Sequence, residues 1–78
     1  MSWNYRVIRH VHEDEEYYAI HEVYYDDDGN PRMCSVEGVP PGGSDIDELC
    51  SDIYMMIEAL ERDTLDYTDF DPDNAQDV

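Results

Sequence analysis

Tyr17-Tyr18-Ala19-Ile20-His21-Glu22-Val23-Tyr24-Tyr25 runs directly into Asp26-Asp27-Asp28-Gly29-Asn30-Pro31, and this junction decides the fold. The first part is rich in aromatic and β-branched residues, which suit a pleated, half-buried surface. The second is the strongest turn signal in the chain: Gly29 and Asn30 accept positive φ, and Pro31 has no amide to offer a ladder. A strand, a turn and a returning strand over Arg32 to Glu37 follow. With a two-residue turn centred on Asp28 and Gly29, Val23 lies opposite Cys34 and His21 opposite Val36.

Upstream, Trp3 to His12 alternates with a period of two and reads as the first strand. The acidic patch Glu13-Asp14-Glu15-Glu16 reads as a solvated connection to the second strand, Tyr17 to Tyr25. One face is then expected to form the core, from Tyr5, Val7, Val11, Ala19, Val23, Cys34 and Val36. The other carries Arg6, Ile8, His10, Tyr18, Ile20, Glu22, Tyr24, Met33 and Ser35, and a one-residue slip exchanges the two sets.

Downstream, Val39-Pro40-Pro41-Gly42-Gly43 breaks regular structure. Ser44, as a capping hydroxyl, followed by Asp47 marks a helix start. The helix is expected from about Asp45 to Arg62, with a stripe of Ile46, Leu49, Cys50, Ile53, Ile57 and Leu60 packed on the sheet. The expected architecture is α+β: a three-stranded antiparallel sheet with one α-helix packed on one face, in the order β-β-β-α. It forms a single domain over 1–70, on which Leu65, Tyr67 and Phe70 dock, and 71–78 is expected to be an acidic, mobile tail.

Four Arg and no Lys stand against 21 Asp and Glu, a net charge of −17 on 78 residues. A potential of that sign repels nucleic acid and anionic lipid and attracts basic protein surfaces. No apolar run reaches the roughly 18 residues that span a bilayer, and the N-terminus lacks the basic start and apolar stretch of a signal peptide. The expectation is a soluble cytoplasmic monomer that binds neither nucleic acid nor membrane and whose partner is a basic protein. Cys34 and Cys50 are expected to stay reduced, as small core residues.

Catalytic chemistry is not written into the chain. Its many carboxylates include no pair that sequence sets apart, and it has no phosphate-cradling glycine loop, nucleophile elbow or C-x-x-C pair. His10 and His12, with Glu13 or His21, make a weak metal constellation for which strand-surface histidines are the better reading. Asp26 to Asp28 lacks the spacing of a calcium loop, and turn chemistry explains it. The expectation is a non-enzyme without cofactor or metal.

The candidate partner-binding residues are therefore exposed acids with aromatic neighbours. Asp45, Asp47, Glu48 and Asp52 lie on the outer face of the helix, Asp26, Asp27 and Asp28 in the turn, and Glu22 on the strand. Among seven tyrosines, Tyr5, Tyr17 and Tyr25 are read as sheet-covering aromatics, and Tyr18, Tyr24 and Tyr54 as interface anchors beside acids. Glu58, Glu61 and Asp63 crowd the carboxyl end of the helix, where the macrodipole disfavours them, so local stability does not explain them.

The strings Trp3-Asn4-Tyr5-Arg6-Val7-Ile8, Tyr17 through Tyr25, Glu48-Leu49 and Met55-Met56-Ile57-Glu58-Ala59-Leu60-Glu61 resemble a family of small acidic bacterial and phage-associated proteins. The resemblance covers about residues 3–67. More narrowly, the chain resembles the type I-C anti-CRISPR inhibitors described as DNA mimics. That resemblance implies an inhibitor that blocks the DNA-binding surface of a Cas effector in Cascade. It carries no residue-by-residue motif, so the site residues above rest on the acids themselves. B-DNA presents one negative charge per roughly 1.7 Å of axis, and carboxylates three and four residues apart on a helix stand about 5–6 Å apart, as in the row Asp45, Glu48, Asp52. The alternatives are a small acidic module for another basic bacterial protein, including antitoxin-like or chaperone-like ones, and an acidic domain of the halophile type or without a charge-based role.

Overall fold

Two residues, Glu13 and Asp14, make the turn between the first two strands, β1 (Ser2–His12) and β2 (Glu15–Tyr25). In this computed structural model, which describes residues 2–70, the strands pair antiparallel over their full length, from Ser2 opposite Tyr25 to His12 opposite Glu15. The acidic patch expected to be a loop is therefore half strand: Glu15 and Glu16 belong to the ladder. Glu13 takes a φ of 58°, in the left-handed region that tight hairpin turns use and that a side chain with a Cβ disfavours.

β3 (Pro31–Cys34) returns along β2, with Val23 opposite Cys34 as expected. The turn itself is longer than two residues. Asp26 N–H donates to Asn30 O (2.9 Å) and Gly29 N–H to Asp26 O (3.0 Å), and the extra residue is taken up by a register shift at Tyr24 and Tyr25. β3 stops at Cys34, before the Glu37 expected. After one more bond, Ser35 N–H to Glu22 O, the chain leaves the ladder and returns only at Val39 N–H to Ile20 O. Val36, expected in the core opposite His21, is consequently 77% exposed.

A short β4 (Leu65–Asp66) runs parallel to β1 beside Ile8 and Arg9. The sheet is thus four-stranded and mixed, in the order β3-β2-β1-β4, where three antiparallel strands were expected. A 3-10 turn, Tyr67–Phe70, follows, and Leu65, Tyr67 and Phe70 are all partly buried, docked as expected. The expected tail, 71–78, lies outside the described residues.

The faces differ from the expectation in a definite way. A hairpin loop with an even number of residues places odd positions of β1 opposite even positions of β2, and opposed residues share a face. Tyr5 and Val7 therefore sit with Glu22 and Ile20, whereas Ile8 and Arg6 sit with Ala19 and His21, and Asn4 with Val23. Ala19, Val23 and Cys34 lie on the face opposite Tyr5 and Val7. Both faces are covered. On one, Tyr5, Val7, Met56 and Ala59 form the core with Ile20 and Val39 against them. On the other, Ile8, His21 and Val23 are fully buried, and Tyr67 packs over the His10 and His21 rings. Val11, expected in the core, is exposed.

The helix α1 spans Ile46–Ala59, shorter at both ends than the range expected. Its sheet-facing line is Leu49, Asp52, Met56 and Ala59, of which Met56 and Ala59 are buried. Ala59 allows close approach, and Gly43 does the same at the other end, because a Cβ there would stand 2.5 Å from Leu49 N. Asp52 fixes the rotation by bonding to β1. The stripe expected to pack on the sheet is turned away from it: only Leu49 of that set is even partly buried. Cys50, expected in the core, is exposed, while Cys34 is partly buried; both are free thiols. Among the described residues no helix is long and apolar enough to cross a membrane.

Candidate functional site

Acids gather at the end of the sheet that carries Trp3. Trp3 meets Tyr5 edge to face, with ring centroids 5.2 Å apart, and lines a shallow groove with Gly42, Asp47, Glu48, Asp52 and Met55. The Tyr5 hydroxyl donates to Asp52 Oδ1, and Gly42 N–H donates to Asp52 Oδ2 at 2.9 Å. The helix cap is Asp45 rather than Ser44: Asp45 Oδ1 accepts from Glu48 N–H (2.8 Å), while Glu48 Oε1 accepts from Ser44 N–H (2.8 Å). This is a reciprocal cap of the kind that satisfies free amides at a helix start.

Of the row expected on the outer face of the helix, Asp45 caps α1 and Glu48 lies in its first turn, but Asp52 is turned toward the sheet, and all three hold the fold. The Tyr5 hydroxyl, followed by the Gly42 amide, holds the Asp52 carboxyl below its ordinary range. Burial and the bond to Asp52 push Tyr5 up to about 12. Glu22 and Tyr24 join this cluster from β2. Tyr24 donates to Glu22 Oε1, which raises the Tyr24 hydroxyl above its usual value, and both act electrostatically on Tyr5.

The turn acids stand at the same end, because Tyr25, which precedes them, is opposite Ser2. Asp26 is a structural residue: its Oδ1 accepts from Asp28 N–H and Asn30 N–H, each at 2.9 Å, and the Asn30 amide chiefly holds its carboxyl below the usual range. Asp27 and Asp28 are exposed. Tyr18 lies elsewhere, opposite Arg9 and donating to Glu16 Oε1 at 3.1 Å. Tyr54 is exposed on α1, away from the sheet. The structure therefore brings Glu22, Tyr24, the Asp26 to Asp28 turn, Asp45, Asp47, Glu48 and Asp52 to one end and leaves Tyr18 and Tyr54 outside it.

Arginine is largely consumed within the fold. Arg6 donates to Tyr25 Oη (2.9 Å) and to Asp63 O (2.7 Å). Arg9 bridges Glu16 (3.2 Å) and Asp66 (2.8 Å), and Arg32 reaches Asp26 at 3.5 Å. These cations tie strands and turns together and leave the outward surface dominated by carboxylates.

On the opposite face His21 is fully buried, with Nδ1 2.9 Å from Ser35 O and Nε2 2.8 Å from Nε2 of His10. Donation from His21 Nδ1 to the carbonyl leaves its Nε2 as acceptor, so His10 carries the shared proton. His10 is stacked on Tyr17 (4.6 Å) and packed against Tyr67 (4.5 Å), and burial lowers its affinity for a second proton. Among the described residues no three His, Cys, Asp or Glu side chains converge as a metal site requires.

Sequence reasoning missed two features. Trp3, placed only in a strand, is 45% exposed at the centre of the acidic end. Ile46, Cys50, Ile53, Ile57 and Leu60, assigned to the core, form an exposed line along α1. The signal for the second was that apolar residues continue beyond that stripe, through Leu49 to Met56 and Ala59, so the helix carries two apolar lines of which the sheet covers one. Comparison of the chain with protein-family models, with curated proteins and with solved structures finds no match in any of the three.

Proposed function

We propose that this chain is a non-enzymatic inhibitor that acts as a DNA mimic, presenting its acidic end to the DNA-binding surface of a Cas effector in type I-C Cascade. The observation that carries the reading is the fixing of the acids. Asp45, Glu48 and Asp52 are held at defined spacing by backbone amides and the Tyr5 hydroxyl, while three of the four arginines, Arg6, Arg9 and Arg32, are drawn into internal bonds. A preorganised anionic array loses less conformational entropy on binding than a floppy acidic tail. Trp3 and Tyr24 supply contact area beside it.

The test is a gel shift with assembled effector in which the order of addition is varied. Inhibitor bound first should prevent target DNA from binding, DNA in excess should raise the apparent inhibitor constant, and association should slow steeply with salt. Undiminished DNA binding at saturating inhibitor would refute mimicry. Binding acids are best probed at Asp27, Asp28 and Asp47, whose carboxylates make no hydrogen bond or ion pair among the described residues. Their combined replacement by Ser should weaken inhibition at least about tenfold, a loss of 1.4 kcal/mol in binding, with circular dichroism unchanged.

A second reading, an acidic module for a different basic bacterial protein, is favoured by one observation that mimicry leaves unused: the exposed apolar line on α1.

A further inference from the structure

Among the exposed residues of α1 and its C-cap, one apolar line follows a strict alternation of four and three: Ile46, Cys50, Ile53, Ile57, Leu60. This is the seam of a coiled coil, in which such positions insert between side chains of a facing helix. The sheet-facing line Leu49, Asp52, Met56, Ala59 is a second seam on the same helix, already filled by β1. The first is bare: Ile46 is 76%, Ile53 40%, Ile57 47% and Leu60 66% exposed. Contiguous apolar surface of this kind on a small, highly charged chain marks an interaction site.

We infer that this seam docks a basic amphipathic helix of a partner protein, an inference that rests on the reading above that the partner is basic. The flank of the seam away from the sheet carries Asp47, Tyr54 and Glu61, the positions that set partner choice in coiled coils. Two acids and a tyrosine there select Lys and Arg on the facing helix. The carboxyl end of α1 makes the same demand, since its last turn holds no basic residue to complement the dipole. A second copy of this chain meets neither demand. Antiparallel pairing would set Asp47 against Glu61, and each copy brings a net charge of −17. The seam runs over about 14 rises of 1.5 Å, or about 21 Å, so a partner helix of about four turns covers it.

The test uses the full chain and two synthetic peptides of identical composition. One places Leu at the seam positions and Lys on the flanks; the other is a scramble with no apolar stripe. The patterned peptide should bind at least about tenfold more tightly, from the apolar area of the seam. The variant Ile53→Ser with Ile57→Ser should remove that difference while keeping the circular dichroism spectrum and the weaker, salt-sensitive binding of the scramble. Equal binding of the two peptides, or patterned binding unchanged in the double variant, overturns the seam while leaving a basic partner standing. Seam-dependent dimers of the chain alone, seen by sedimentation, also overturn it. Failure of both peptides to bind at low salt refutes the basic-partner reading itself, and the seam proposal with it.

Discussion

Asp52 was expected on the outer face of the helix, where its removal would leave the fold intact, and the structure leads to the opposite prediction. Its two oxygens accept from the Tyr5 hydroxyl and from Gly42 N–H, so one carboxylate ties β1, the loop before α1 and the helix together. Hydrogen bonds to a charged group contribute about 1.5–3 kcal/mol each, net of the exchange with water. Tyr5, only 6% exposed, has little access to water. Asp52→Ala should therefore lower the urea midpoint clearly, in a chain whose total stability is only about 4–12 kcal/mol at this size. Removing one negative charge from so acidic a surface offsets a few tenths of a kcal/mol. Urea is the denaturant to use, because guanidinium would screen the charges being tested. Tyr5→Phe should cost about 1.5–2 kcal/mol, and the double variant should fall short of the sum by about 1 kcal/mol or more, since both remove the same bond. In thermal melts the Tyr5→Phe loss corresponds to about 6–16 °C. Asp27→Ala removes the same charge from an exposed turn and should stay within about 0.5 kcal/mol of the parent. Equal urea midpoints for Asp52→Ala and Asp27→Ala, or strict additivity with Tyr5→Phe, would refute the reasoning.

Two further predictions concern the hairpin and the titrating groups. Glu13→Gly should raise the urea midpoint by about 1 kcal/mol in stability, because Glu13 holds a φ of 58° that glycine adopts freely; Glu13→Gln, which removes the charge and keeps the strain, should not. Stability should fall at both ends of the pH range. His10 binds a proton less readily folded than unfolded, so its contribution is present above its ordinary value of 6.5 and is lost as pH drops below it, a slope that His10→Gln should flatten in urea titrations. Tyr5 behaves in the reverse sense: stability is lost as pH rises from 10.0 through about 12, and tyrosinate absorbance should place its ionisation late in the titration.

What the sequence disclosed and what it hid divide along the range of the interactions. The Asp26 to Pro31 turn, the opposition of Val23 to Cys34 and the existence of one helix are local facts, written in turn chemistry and periodicity, and all were legible. β4 was not, because two residues carry no periodicity. The pairing of faces was hidden by a different cause. Tyr5 and Val23 are both apolar and both buried, so hydropathy groups them, yet the even-membered Glu13-Asp14 turn sets them on opposite sides. The second buried face is covered by residues far along the chain, with Tyr67 packed over the His10 and His21 rings and Leu65 beside Ile8. Among the candidate site residues, the types were legible and the duties were not. Nothing in the sequence separates Asp27, which is exposed, from Asp26, which builds the turn.

The same division explains why so acidic a chain folds at all. Carboxylates that merely repelled one another would leave the compact state worse off at each addition. Here a share of them is converted into structure. Asp45 and Glu48 satisfy amides at the start of α1, Asp26 closes a turn, Asp52 joins helix to sheet, and Glu16 and Asp66 clamp Arg9. Acids with such duties lie at a helix start, in a turn or beside an arginine, where a negative charge is favourable. Among the described residues no hydrogen bond or ion pair holds the Glu58 or Glu61 carboxylate, and both sit where the helix dipole opposes them, beside the bare seam of Ile57 and Leu60. An unfavourable charge next to an uncovered apolar line is costly in the isolated chain on both counts. A basic amphipathic helix of the kind proposed would relieve both at once, so the residues least explained by the fold are the ones that support the proposal most directly.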